Sequence, residues 1–175
     1  MAQNVEIKAR VRDWAQLTEK TVALATHGPR ELRQRDVFFG VPQGRLKLRT
    51  FGATSGELIA YRRPDQSGPK VSQYQICPIT DANALEITLS TCLPVLGVVE
   101  KKRVVYWVDH TRIHLDEVFG LGFFMELEVV LEKGESPQQG RVIAEKLMTQ
   151  LGIPPDDLLA CAYLDLILAR GGAQK

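Results

Sequence analysis

Cysteine is scarce in these 175 residues: Cys77, Cys92 and Cys161 form no CxxC pair and have no nearby histidine partners. That excludes a disulfide framework and a thiolate zinc site, and it leaves all three as reduced packing residues. Long hydrophobic runs are also missing, since no apolar stretch approaches the ~18 residues of a membrane span. The segment Met1 to Arg10 carries charges and lacks the apolar centre of a signal peptide, so a cytoplasmic protein with no membrane partner is expected. Charge of one sign is absent overall. The 22 basic and 21 acidic residues leave a formal net charge of +1, with no general attraction to nucleic acid. There are no internal repeats, and the Pro/Gly/Ser-containing run from Arg63 to Lys70 reads as a loop rather than a linker. The length and a 45% hydrophobic content suit one globular domain over residues 1–175.

What is present is a succession of short alternating segments. Strands are expected at 4–12, 34–41, 45–52, 56–63, 70–79, 98–108, 111–119 and 122–132, divided by turn chemistry such as Pro42-Gln43-Gly44 and Asp109-His110. Asp13 with Gln16 opens one helix, and a second follows Asp81 with Leu85, Leu89 and Cys92 at helical spacing. Ser136-Pro137-Gln138-Gln139 supplies a cap, a first-turn proline and a reciprocal glutamine for a helix near 137–151, which Gly152 ends. The apolar stretch 158–169 is expected to pack on the wall. Mostly antiparallel strands with a few capped helices give an α+β class.

Side chains alternate along a strand, so Asn4, Glu6, Lys8, Arg10 and Arg12 share one face, opposite Val5, Ile7, Ala9 and Val11. The pattern recurs. Arg45, Lys47 and Arg49 oppose Leu46 and Leu48; Arg112, His114 and Asp116 oppose Ile113 and Leu115; Glu126, Glu128 and Glu132 oppose Met125, Leu127, Val129 and Leu131. Half-exposed antiparallel sheets give such faces simply by turning them to solvent. Two features weigh toward the other arrangement, a polar interior, and bring the two readings close to balance. The helices' apolar stripes need a surface, which the apolar strand faces supply from outside, and the charges are segregated by strand where a solvated face usually mixes signs. Turned inward, Lys8, Arg10, Lys47, Arg49, Arg63, Lys101, Arg103 and Arg112 give eight positive charges against four from Glu6, Asp116, Glu126 and Glu128. An enclosed excess of that kind calls for an anion, and carboxylates beside a polyphosphate call for a hard cation between them.

Val5-Glu6-Ile7-Lys8-Ala9-Arg10, Pro42 to Arg49, Lys101-Lys102-Arg103, Arg112 to Val118 and Glu126-Leu127-Glu128-Val129, in that order, resemble the CYTH family. That family includes CyaB-like class IV adenylyl cyclases, thiamine triphosphatases and other triphosphate tunnel metalloenzymes. The resemblance implies that the strands close into an antiparallel barrel of about eight strands, a triphosphate tunnel with the helices packed outside, with Mg²⁺ or Mn²⁺ as cofactor and a small-molecule triphosphate as substrate. It implies metal binding, direct or through water, by Glu6, Asp116, Glu126 and Glu128. Phosphate binding would fall to Lys8, Arg10, Lys47, Arg49, Arg63, Lys101, Arg103 and Arg112, with Glu6 and Lys8 at the chemistry. The family motif begins Glu-x-Glu-x-Lys, and here the first glutamate is Asn4, a weaker donor to a divalent ion.

Three functions follow: a metal-dependent triphosphatase, an adenylyl cyclase, and, because of Asn4, a polyphosphate binder without turnover. A homodimer is compatible with the sequence. Lys102 faces away from the charged interior. His114 is expected as a hydrogen-bonded structural residue, Tyr74 as part of the wall, and Trp14 and Trp107 as core or helix contacts. Lys70 and Tyr163 have no assigned role.

Overall fold

The computed structural model describes residues 1–52 and 54–172. Eight strands, β1 (Ala2–Arg10), β2 (His27–Phe39), β3 (Arg45–Thr50), β4 (Gly56–Arg62), β5 (Lys70–Ile79), β6 (Val95–Val108), β7 (Thr111–Val118) and β8 (Gly122–Val130), form one closed barrel. Their order is β1-β5-β4-β3-β2-β6-β7-β8, with β8 returning to β1 and antiparallel pairing throughout. The helices among the described residues are α1 (Trp14–Leu24), α2 (Ala82–Cys92), α3 (Pro137–Leu151) and α4 (Tyr163–Gly172). None is long and apolar enough to cross a membrane.

The caps read from the sequence form as hydrogen bonds. Asp13 accepts from the Gln16 amide and Asp81 from the Ala84 amide, both at 2.9 Å, and Ser136 with Gln139 closes a capping box. Gly152 ends α3 at φ 75°, a left-handed conformation that a side chain would strain. The largest boundary difference is in β2, which begins at His27 and not near Gln34. Residues 27–33 are largely exposed, so no apolar alternation marks them. Pairing with β6, from His27 opposite Trp107 to Arg33 opposite Lys102, holds them in the sheet.

The apolar strand faces point outward under helices. Leu17 of α1 and Leu147 and Leu151 of α3 cover Ile7, Ala9, Ile113, Leu115, Met125 and Leu127. Ala144 of α3 sits on Val5 and Val129, and Leu85 and Leu89 of α2 pack on Val37, Phe39 and Leu48. A Cβ on Gly140 would come within 2.7 Å of Leu131 and 2.8 Å of Val5, so the missing side chain lets α3 approach β1. Each fully buried aliphatic or Met side chain contributes about 1.5–3 kcal/mol. A one-residue slip of any strand would expose that whole set and bury nothing apolar in exchange. Outer-wall burial therefore fixes which side chains enter the lumen.

Segment 158–169 packs at one end of the barrel. There Tyr163 and Leu164 join Phe38, Val99, Val118, Leu121 and Phe124 in an apolar stopper. Gly97 makes room for it, since a Cβ there would lie 2.6 Å from Leu164 Cδ1. The cysteines are free, as expected, but they are not core residues. Cys77 and Cys92 are exposed and Cys161 is partly so, because the outer face of β5 is uncovered at Cys77 and Cys92 ends its helix.

Candidate active site

The lumen holds a cavity of about 340 Å³ lined by eight basic and five acidic side chains. Strand parity places them. Glu6 and Lys8 come from β1, Arg30 and Asp36 from β2, Lys47 and Arg49 from β3, and Lys101 and Arg103 from β6. Arg112 and His114 enter from β7 and Glu126 and Glu128 from β8, while Glu57 lies on β4 and Arg63 just past its end. The charged residues expected from the strand pattern thus converge on one space, with two departures. Arg10 does not line the cavity. It is exposed at the stoppered end, its guanidinium 5.6 Å from the Phe124 ring, because β1 finishes there. Asp116 is fully buried behind the lining, under Arg103 and Tyr163.

Inside, the carboxylates are matched to cations. Asp36 accepts from Lys47 at 3.0 Å and from two nitrogens of Arg49 at 2.8 Å. Asp116 accepts from Arg103 in a two-point pair at 2.6 and 2.5 Å and from the Tyr163 hydroxyl at 3.0 Å, with Lys101 at 3.5 Å. Glu126 takes Lys8 on Oε1 and Arg103 on Oε2, the latter at 2.7 Å. Arg112 lies 2.8 Å from Glu128 Oε2, and Arg63 lies 3.3 Å from Glu6. Buried charge of this density is tolerable only in such a network.

The network sets the titration of its members. Burial alone would raise the Asp36 carboxyl, but Arg49 and Lys47 outweigh it and hold its pKa well below the usual range. Asp116 is likewise lowered against burial, by Arg103 and Lys101. Glu6 goes the other way: burial raises its pKa, and Arg63 only partly offsets that. Burial, with repulsion from Arg103, brings the Lys101 ammonium down to about 7. The same two influences lower His114.

Several residues behave differently from their sequence-based expectation. Trp107 is not a core or helix contact but lines the lumen, on the same face of β6 as Lys101 and Arg103; Tyr74 lines it from β5. Trp14 does pack at a helix, its ring 4.6 Å from that of Phe123. His114 is buried, but its Nδ1 makes no hydrogen bond among the described residues: it lies 3.6 Å from Glu126 and 3.9 Å from Glu128. Lys102 faces outward to Glu117. Lys70 is buried, donating to the carbonyls of Gln66 and Leu159 at 3.1 Å, which ties the 63–70 loop to the segment before α4. Burial, with Arg63 nearby, lowers its pKa to about 8. Tyr163 turns into the lumen, with the Lys8 ammonium 3.2 Å from its ring centroid. Asp36 and Arg30 were missed. The alternation Gln34, Asp36, Phe38 within the expected strand contained the signal for Asp36, whereas Arg30 lay in the unmarked start of β2.

A closed eight-stranded barrel with an ionic lumen, apolar outer wall and external helices is the architecture of a tunnel protein. Residues 2–163 match the CYTH domain, and the chain belongs to that family. No curated protein matches it. Among solved structures it is similar to the PH1012 protein of Pyrococcus horikoshii OT3, at 24% identity and a TM-score of 0.80, covering 93% of this chain and 98% of that one. A proposed adenylate cyclase of Vibrio parahaemolyticus is 20% identical with a TM-score of 0.76, over 94% and 97% of the two chains. HpAC1 of Hippeastrum, a proposed adenylyl cyclase with a dominant triphosphatase activity, is 20% identical with a TM-score of 0.63, over 97% and 96%.

Proposed function

We propose that residues 1–175 form one domain that hydrolyses a phosphoanhydride bond of a triphosphate, inorganic or carried by a nucleoside or thiamine, with Mg²⁺ or Mn²⁺ as cofactor. The observation that carries this reading is the convergence of eight basic side chains on a cavity that also holds a donor cluster, His114, Glu126 and Glu128. Ligand atoms of those three lie within 4.8 Å of one another, and the buried Asn4 Oδ1 in the same lumen has no partner, so the residues present fit a cation. Glu126 and Glu128 would hold it directly and Glu6, opposite Glu128 across β1 and β8, through water, with Asp116 acting from behind by fixing Arg103. A divalent cation there supplies charge neutralisation and polarisation of the transferred phosphoryl group.

The chain's own residues would do the rest. Lys8, Lys47, Arg49, Arg63, Lys101, Arg103 and Arg112 exchange their carboxylate partners for phosphate oxygens, which aligns the triphosphate along the lumen. Arg10, outside the lining, has no part in this clamp. Glu6, whose pKa burial raises, is suited to take the proton of an attacking water, and Lys8 beside it steadies the charge that develops on the phosphoryl oxygens. The triphosphatase activity of HpAC1 supports hydrolysis as the first reading. A cyclase remains the second, supported by Tyr74 and Trp107 in the lining, which offer a base something to stack on.

Phosphate release from tripolyphosphate, ATP and thiamine triphosphate, with and without metal, tests the proposal, and chromatography for cyclic AMP separates the cyclase. Turnover of none of them would overturn it. Tight metal-dependent binding without turnover, with activity appearing on Asn4→Glu, would establish the binder instead.

A further inference from the structure

Asn4 and His114 are the two places where the lumen's donor set is unusual, and they complement each other. Asn4 replaces a carboxylate with a neutral oxygen, while His114 adds a nitrogen to a cluster otherwise made of Glu126 and Glu128. Both are more than nine-tenths buried, and neither Asn4 Oδ1 nor His114 Nδ1 has a hydrogen-bond partner among the described residues. A buried polar atom left without a partner is destabilising, so two of them in one lumen need a reason. Register sets the donors in a row: His114 pairs with Glu126 across β7 and β8, Glu128 follows two residues along β8 opposite Glu6, and Asn4 lies two residues further along the same face of β1, opposite Val130. Glu128 has Oε2 on Arg112, while its Oε1 is the atom 3.9 Å from His114 Nδ1. That separation is too long for a hydrogen bond and suits two atoms sharing one ion.

We propose that His114 Nδ1 is a ligand of the lumen's divalent cation together with Glu126 and Glu128, with Asn4 Oδ1 as a neutral oxygen donor, and that the nitrogen selects a first-row transition ion such as Mn²⁺ or Co²⁺ over Mg²⁺. The inference rests on the reading of the lumen as a metal site. Its physical basis is ligand preference. Mg²⁺ demands near-ideal octahedral oxygen coordination and dehydrates reluctantly, whereas imidazole binds later divalent ions of the first row readily. Two carboxylates balance a dication, so the neutral Asn4 and His114 complete the coordination without surplus charge.

The test uses the full chain stripped of metal. Pulsed electron paramagnetic resonance of the Mn²⁺-loaded protein reads nitrogen-14 coupling directly and needs no variant; the expected result is imidazole modulation in the native chain. Calorimetry with Mg²⁺, Mn²⁺ and Co²⁺ gives at least tenfold tighter binding of the transition ions, and that ratio falls by tenfold or more in His114→Ala. Retained binding of tripolyphosphate in chelator shows that the variant's lumen is formed. A cation that binds without nitrogen coupling, or a preference unchanged in His114→Ala, overturns this proposal and leaves the metal reading standing. If no divalent ion binds the native chain at all, with tripolyphosphate absent or present, the metal reading itself fails.

Discussion

Replacing Asp36 by Asn would remove the only negative charge among the described residues within hydrogen-bonding reach of Lys47 and Arg49 while changing the volume very little. Asp36 is 2% exposed and accepts three charge-assisted hydrogen bonds, and the side chains of both cations are largely enclosed, at 14% and 13% exposure. Breaking a buried ion pair by removing one partner costs about 3–5 kcal/mol. For a chain of this size, at 2–4 °C per kcal/mol, the melting temperature should fall by about 6–20 °C. The loss should depend on ligand. A triphosphate in the lumen replaces the missing carboxylate, so tripolyphosphate should stabilise Asp36→Asn more than the native protein, recovering most of the deficit. Urea denaturation with and without saturating tripolyphosphate reads both quantities. An equal deficit in its presence and absence would refute the reasoning, because Lys47 and Arg49 would then not address the ligand.

Lys101 titrates near 7, below the usual lysine value, so the unfolded chain binds more protons than the folded one between about pH 7 and 10.4, and this group's contribution to stability rises with pH across that window. A triphosphate needs the charged form, so affinity should fall up to about tenfold per pH unit above 7, with proton uptake on binding, and Lys101→Arg should abolish that uptake in calorimetry across buffers of different ionisation enthalpy. Uptake identical in the variant would assign it elsewhere. Tyr163→Phe removes a buried donor to Asp116 and should cost about 1.5–3 kcal/mol in chemical denaturation; a cost below 0.5 would place the hydroxyl outside the network. Gly97→Ala pushes a methyl into Leu164 and should loosen α4, seen as faster amide exchange over 163–170 while the barrel strands keep their protection.

Much of this architecture was legible in the residues because a strand carries its partition on its surface. The alternation of Val5, Ile7 and Ala9 with Asn4, Glu6 and Lys8 states which side is greasy, and helices at 14–24, 82–92 and 137–151 state what covers it. Whether the charged side met water or a lumen was not decided by any one strand. The ordered motifs resembling the CYTH family pointed to the lumen, and the closure of β8 on β1 makes it one. The start of β2 was illegible because its residues are polar on both faces and are held by backbone pairing to β6, an interaction without a side-chain pattern.

Local alternation, capping boxes and composition are properties of neighbours along the chain, so the sequence by itself determined most of the strands, the charged face of each and the capped helices that cover the other. Which carboxylate meets which cation is a property of neighbours in space. Register and barrel closure put Asp36 opposite Arg49, set Asp116 behind Arg103, carried Arg10 past the rim and turned Trp107 into the lumen. Those outcomes depend on where eight strands end relative to one another, and only burial of the whole outer wall settles that.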